Sequence, residues 1–203
     1  MKLLVLFAAG AIIGSVCCDN ECFKSIFSVC QKKFVPGMPE LCNDLKPRYD
    51  CFADRAVECK MGLAKDANQV KQIIAETCTE GTILNKLVKK EKKCFQDAFM
   101  DQKCSDPIVA VLNGASNFKE IVLKNKEACK LLEFYSECIV ERVVHYCGPN
   151  SKDLFSYLFD RLFKLGRSMC NDVILPADEN DESFGNLGQL DAFNFIIPFF
   201  MYP

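Results

Sequence analysis

The sequence contains no tryptophan and a single histidine, His145. One imidazole excludes histidine-pair metal sites and paired-imidazole chemistry. No two cysteines after Cys18 are separated by only two residues, which removes the zinc-knuckle and Cys-x-x-Cys redox spacings. Phosphate-cradling glycine loops and a Gly-x-Ser-x-Gly elbow are missing, and so is any Asn-x-Ser/Thr glycosylation acceptor. There is no basic excess either: 25 basic side chains face 27 acidic ones, which argues against nucleic-acid binding. No apolar run reaches the ~20 residues of a membrane span.

What is abundant is cysteine, 14 in 203 residues, with 17 phenylalanines and half the residues apolar. That is about 7% cysteine, close to the composition of disulfide scaffolds, and it points to an oxidising compartment. Met1 and Lys2 are followed by an apolar run from Leu3 to Val16, the pattern of a secretory signal peptide, with cleavage expected after Cys18. Val16 before Cys17 disfavours a lipoprotein anchor, which wants a small residue there. The expected product is exported, extracellular and without a transmembrane anchor.

Twelve cysteines then remain: Cys22, Cys30, Cys42, Cys51, Cys59 and Cys78, followed by Cys94, Cys104, Cys129, Cys138, Cys147 and Cys170. The gaps run 7, 11, 8, 7, 18 in the first set and 9, 24, 8, 8, 22 in the second. The residues Asp50-Cys51-Phe52-Ala53-Asp54-Arg55-Ala56-Val57 lie over Glu137-Cys138-Ile139-Val140-Glu141-Arg142-Val143-Val144, acid over acid and Arg over Arg. The chain therefore divides into a signal peptide (1–18), two related six-cysteine modules (19–93 and 94–171, which can form one compact domain) and a tail (172–203). The twelve cysteines are read as structural disulfides; spacing leaves ~10,000 pairings open.

Both modules have helical periodicity, and no segment shows strand alternation, so the expected fold is an all-α, disulfide-bonded helical bundle with an irregular C-terminal tail. Helices are expected behind Asp19 and Asn20 to Phe34, over Glu40–Cys59 with a kink at Pro47, over 66–78, over 82–103, near 107–112, and as one long segment from Phe118 to Tyr146. Gly148 and Pro149 end that segment, and Asn150 is placed to cap a last helix over Ser151–Cys170. On a single helix, Cys129 and Cys138 point to opposite sides, whereas Cys129 and Cys147 return to the same one.

The signal peptide, the two-sided cysteine helices, the Cys78-Thr79-Glu80-Gly81-Thr82 turn into a long helix ending near Cys94-Phe95, and the Cys138-x8-Cys147-Gly148 helix end resemble an arthropod and nematode family. It is the secreted cysteine-rich, haemolymph-glycoprotein-like family built on a domain of unknown function. The resemblance covers about 21–170. It implies an all-α, disulfide-bonded extracellular domain and brings no catalytic residues. The missing glycosylation site and the tail depart from it.

Candidate chemistry is sparse: no catalytic residue, metal ligand or cofactor is nominated, and the chain is not expected to be an enzyme. His145 suits a helix C-terminus structurally. The carboxylate rows Asp50/Asp54 and Glu133/Glu137/Glu141 read as salt-bridged or solvated helix faces. Two features can bind. Lys86, Lys89, Lys90 and Lys93 share one face of the 82–103 helix, opposite Leu84, Leu87, Val88, Phe95 and Phe99, and can attract an acidic lipid, glycan or protein segment. Leu154, Phe155, Leu158, Phe159, Leu162 and Phe163 form a wide apolar sector, either core or the wall of a groove.

The tail has six acids and no base, against 24 basic and 21 acidic residues over 19–170, and it ends in a Phe-rich stretch. The leading expectation is a secreted, non-catalytic interaction protein whose tail docks on its own body, self-associates or meets an extracellular protein. The alternative is a carrier of a small hydrophobic ligand. A toxin-like or gland-specific secreted protein and a secreted hydrolase stand behind these.

Overall fold

The computed structural model describes residues 41–114 and 118–171, together with Cys22, Ile26, Val29 and Cys30. The signal segment 1–18 and the tail 172–203 lie outside the described residues. The protein is all-α: a π-type turn, Leu41–Leu45, leads into α1 (Lys46–Glu58), followed by α2 (Ala64–Cys78), α3 (Ile83–Met100), α4 (Asp106–Leu112), α5 (Phe118–Lys130), α6 (Leu132–Cys147) and α7 (Lys152–Met169). No strand occurs among the described residues. Cys22, Ile26, Val29 and Cys30 are helical, as expected for the segment ahead of Phe34.

The structure departs from several of the expected element boundaries. The helix expected over Glu40–Cys59 divides just before Pro47 into the π-type turn and α1. Pro47 sits in the first turn of α1, where its missing N–H costs nothing. The segment from Phe118 to Tyr146 is two helices, because the Leu131 N–H bonds the Ala128 carbonyl at 3.0 Å and tightens the chain at that residue. Cys129 and Cys147 therefore belong to different helices and bridge to different elements. Asn150 caps nothing: it lies in a 3-10 turn, Pro149–Ser151, and α7 starts behind Ser151 without a side-chain cap. The expected limit at 93/94 falls inside α3, which is unbroken.

All twelve described cysteines are paired. The bridges are Cys22–Cys59, Cys30–Cys51 and Cys42–Cys78, then Cys94–Cys147, Cys104–Cys138 and Cys129–Cys170. None joins the first six cysteines to the second six. Each bridge typically contributes ~2–4 kcal/mol by restricting the unfolded chain.

Packing follows the amphipathic faces. α1 packs on α2, α6 on α7, α3 on α6, and α2 meets α7 across the middle of the molecule. One continuous core results, with Tyr49, Phe52, Leu63, Tyr135, Ile139, Phe155 and Met169 almost wholly buried. Phe95, Phe99, Phe155 and Phe159 make a ring cluster, including a stacked Phe155–Phe159 pair at 4.2 Å and an edge-on Phe95–Phe155 pair at 5.6 Å. Such pairs each add ~0.5–1.5 kcal/mol beyond buried area. Burial alone raises the hydroxyl pKa of Tyr135.

One buried charge keys α2 to α7. Ser168 donates to Asp66 Oδ2 at 2.5 Å, and the Lys164 ammonium lies 2.9 Å from Oδ1. Burial tends to raise the Asp66 carboxyl pKa, but the Ser168 and Lys164 hydrogen bonds and the Lys164 charge outweigh it and hold it below the ordinary value.

Candidate functional site

The most exposed chemistry lies on the outer side of α3. The helix begins where Thr82, in an extended conformation, accepts the Asn85 N–H at 3.1 Å while its own hydroxyl donates to the Glu76 and Thr79 carbonyls. Asn85 reaches back to the Thr77 carbonyl at 2.7 Å, fixing α3 against the end of α2. Gly81, at φ +83°, makes the turn between them.

With Leu84, Asn85, Phe95 and Ala98 buried, the opposite side of α3 is set outward. It carries Lys86, Lys89, Lys90 and Lys93, all exposed, and Lys92 is exposed on another side of the helix. Acids temper this stripe. Lys89 lies 3.8 Å from Glu80, Lys90 3.6 Å from Glu91 and Lys93 3.3 Å from Asp97. The Lys93–Asp97 pair is legible as an i, i+4 spacing; Glu80 comes from the preceding turn and is not.

Leu87 departs from expectation. Expected on the apolar side opposite the lysines, it is 40% exposed, beside Ile83 at 79%. At 100° per residue Ile83, Leu87 and Lys90 follow one another along one edge of the helix, so the outward face is basic with an apolar border.

The second candidate resolves as core. Phe155, Leu158, Phe159, Leu162 and Phe163 are buried and Leu154 packs partly against them. The rings of Phe95, Phe99 and Tyr135 occupy the space facing this sector, with Tyr135 6.2 Å from Phe163.

His145 is exposed in the last turn of α6. The carboxylate rows are partly tied up: Asp50 with Lys46 at 2.6 Å, Asp54 with Lys71 at 2.6 Å, and Glu133 with Arg167 at 3.3 Å. Glu91, Cys94 and Cys147 bring donor atoms within 4.8 Å of one another, and the Ser151 hydroxyl donates to Glu91 at 3.0 Å. Both sulfurs are consumed in a disulfide, so no thiolate is present to ligate a metal.

No protein-family model matches the chain, and neither the curated proteins nor the solved structures contain a significant match to it. Among the described residues no helix is long and apolar enough to cross a membrane. The six disulfides are compatible with an extracellular protein.

Proposed function

We propose that the chain is an exported, non-catalytic interaction protein that presents the outer face of α3 to an acidic protein segment. The observation carrying this reading is the juxtaposition of four exposed lysines, Lys86, Lys89, Lys90 and Lys93, with the exposed apolar edge of Ile83 and Leu87, on a helix pinned by a cap, a bridge and a ring cluster. A rigid basic face offers long-range attraction, and the apolar edge adds short-range contact. The chain's own residues 172–203, with six acids, no base and many phenylalanines, have complementary composition and are the first candidate partner.

Two measurements test it. The exported protein should begin at Asp19 and gain twelve protons on full reduction; retention of residues 1–18 or a free thiol in the mature form would contradict the export and bridging scheme. Deleting 172–203 should change oligomeric state or partner binding, and Lys86→Glu combined with Lys90→Glu in the full chain should reproduce that change. Its dependence on salt should weaken in parallel. A deletion and a charge reversal that both leave association unaltered would sink the proposal.

A further inference from the structure

The two sets of cysteines close in the same order. Counted along each set, the bridges join first to fifth, second to fourth and third to sixth, in both cases. Of the ~10,000 pairings open to twelve cysteines, only about one in 700 keeps every bridge within its own set and gives the two sets one order.

The helices follow the same register. Moving 87 residues along the chain carries Cys51 to Cys138 and takes buried Leu45, Phe52 and Ala56 to Leu132, Ile139 and Val143, all buried. The third cysteine of each set lies at or next to an irregular step: Cys42 within the π-type turn Leu41–Leu45, Cys129 two residues before the tight turn at Leu131. Directly after each fifth cysteine stands a residue of positive φ: Lys60 at 52° and Gly148 at 83°. Moving 92 residues carries Cys78 to Cys170 and takes Asp66, Ala67, Val70, Ile73, Ile74 and Thr77 to Leu158, Phe159, Leu162, Leu165, Gly166 and Met169. These are the six buried positions of α2, and every one lands on a buried position of α7.

From this we infer that the chain is a tandem duplication of one six-cysteine helical unit, and that the last helix of each unit is a pairing surface whose partner is the matching helix of the other copy. The packing order supports it. α2 is covered on one side by α1 of its own unit and on another by α7, while α7 is covered by α6 of its own unit and by α2. Each copy uses the same element both to complete its own core and to hold its twin. The Asp66 contact to Ser168 and Lys164 fixes the register of the pair and is present only once, so it distinguishes the two ends of an otherwise matched interface. This inference stands independently of any role for the lysine face of α3.

A cut between the units tests it. Glu80 and Gly81 are exposed in the turn between α2 and α3, and no bridge spans them. The full oxidised chain, carrying a site-specific protease sequence between these residues, is cleaved in its folded state. Expected is one species of uncut size by native size exclusion, and two fragments in denaturant without reductant. Asp66→Ala in the cut protein should raise the dissociation constant of the halves about tenfold, one charge-assisted contact's worth. Halves that drift apart natively on cleavage would overturn the pairing surface. A single band in denaturant would overturn the duplicated bridge order. An unchanged dissociation constant in Asp66→Ala would overturn the assigned register.

Discussion

The two halves share a covalent frame but fill it differently. Where the first has Leu63, Ala67 and Val70, the second has Phe155, Phe159 and Leu162. These rings pack against Phe95 and Phe99 of α3, which build the aromatic cluster with α7. The bridges tie the matched helices together in the same order, and the side-chain volume at matched buried positions differs behind that order. Two interiors of unlike composition can therefore sit behind one order of cross-links.

Replacing the rings should expose the contrast most strongly. Phe155→Ala is expected to cost ~3–5 kcal/mol, because the cavity removes its contacts with Phe95, Phe99 and Phe159 at once. Leu63→Ala, at the matched buried position, is expected to cost ~2–3 kcal/mol by the same urea titration. A Leu63 cost equal to or above that of Phe155 would mean that the aromatic cluster contributes nothing particular to the second half.

Removing the matched second-to-fourth bridges should erase the contrast instead. Cys30→Ser with Cys51→Ser, and Cys104→Ser with Cys138→Ser, are each expected to cost ~2–4 kcal/mol. The loops closed span 21 and 34 residues, a ratio that changes the chain-entropy contribution by only about half a kcal/mol. Thermal unfolding of the two double variants should therefore nearly coincide, and a wide gap between them would show that the frame is not equivalent in the two halves.

The smallest effect should come from the asymmetric contact at their junction. The folded Asp66 carboxyl has a pKa lowered relative to the unfolded chain, so its stabilisation is present above the ordinary aspartate value of about 4 and is lost as pH falls through the lowered folded value. Asp66→Asn should cost ~1–2 kcal/mol near neutral pH and flatten the acid side of a stability-against-pH curve. An acid limb identical to that of the parent protein would show that Asp66 does not carry this dependence.

Much of this architecture was legible because cysteine spacing and helical periodicity are local. The equivalence of Asp50–Val57 with Glu137–Val144 is on the surface of the sequence, and so is the end of α6 at Gly148. The break at Leu131 was not: Lys130-Leu131-Leu132 contains neither Gly nor Pro, and the step shows only in the Leu131 N–H turning to the Ala128 carbonyl. Asn150 had the chemistry of a cap and lost the position to a 3-10 turn, while Ser151 turned its hydroxyl to Glu91 and the Cys147 carbonyl. For the lysine face, helical spacing predicted which lysines share a side. It could not reveal that Glu80 approaches from the preceding turn, nor that Leu87 is left 40% exposed, since both depend on how α3 is seated.

The interleaving of the bridges also shapes the state that the folded protein is compared with. In each half the third cysteine lies between the partners of the first-to-fifth bridge, and its own partner lies beyond them. Overlapping closures of this kind cannot open into separate loops. Denatured but still oxidised chains are consequently kept short, expose less new surface to solvent, and should show a shallower slope of unfolding free energy with urea than the reduced chain of the same length.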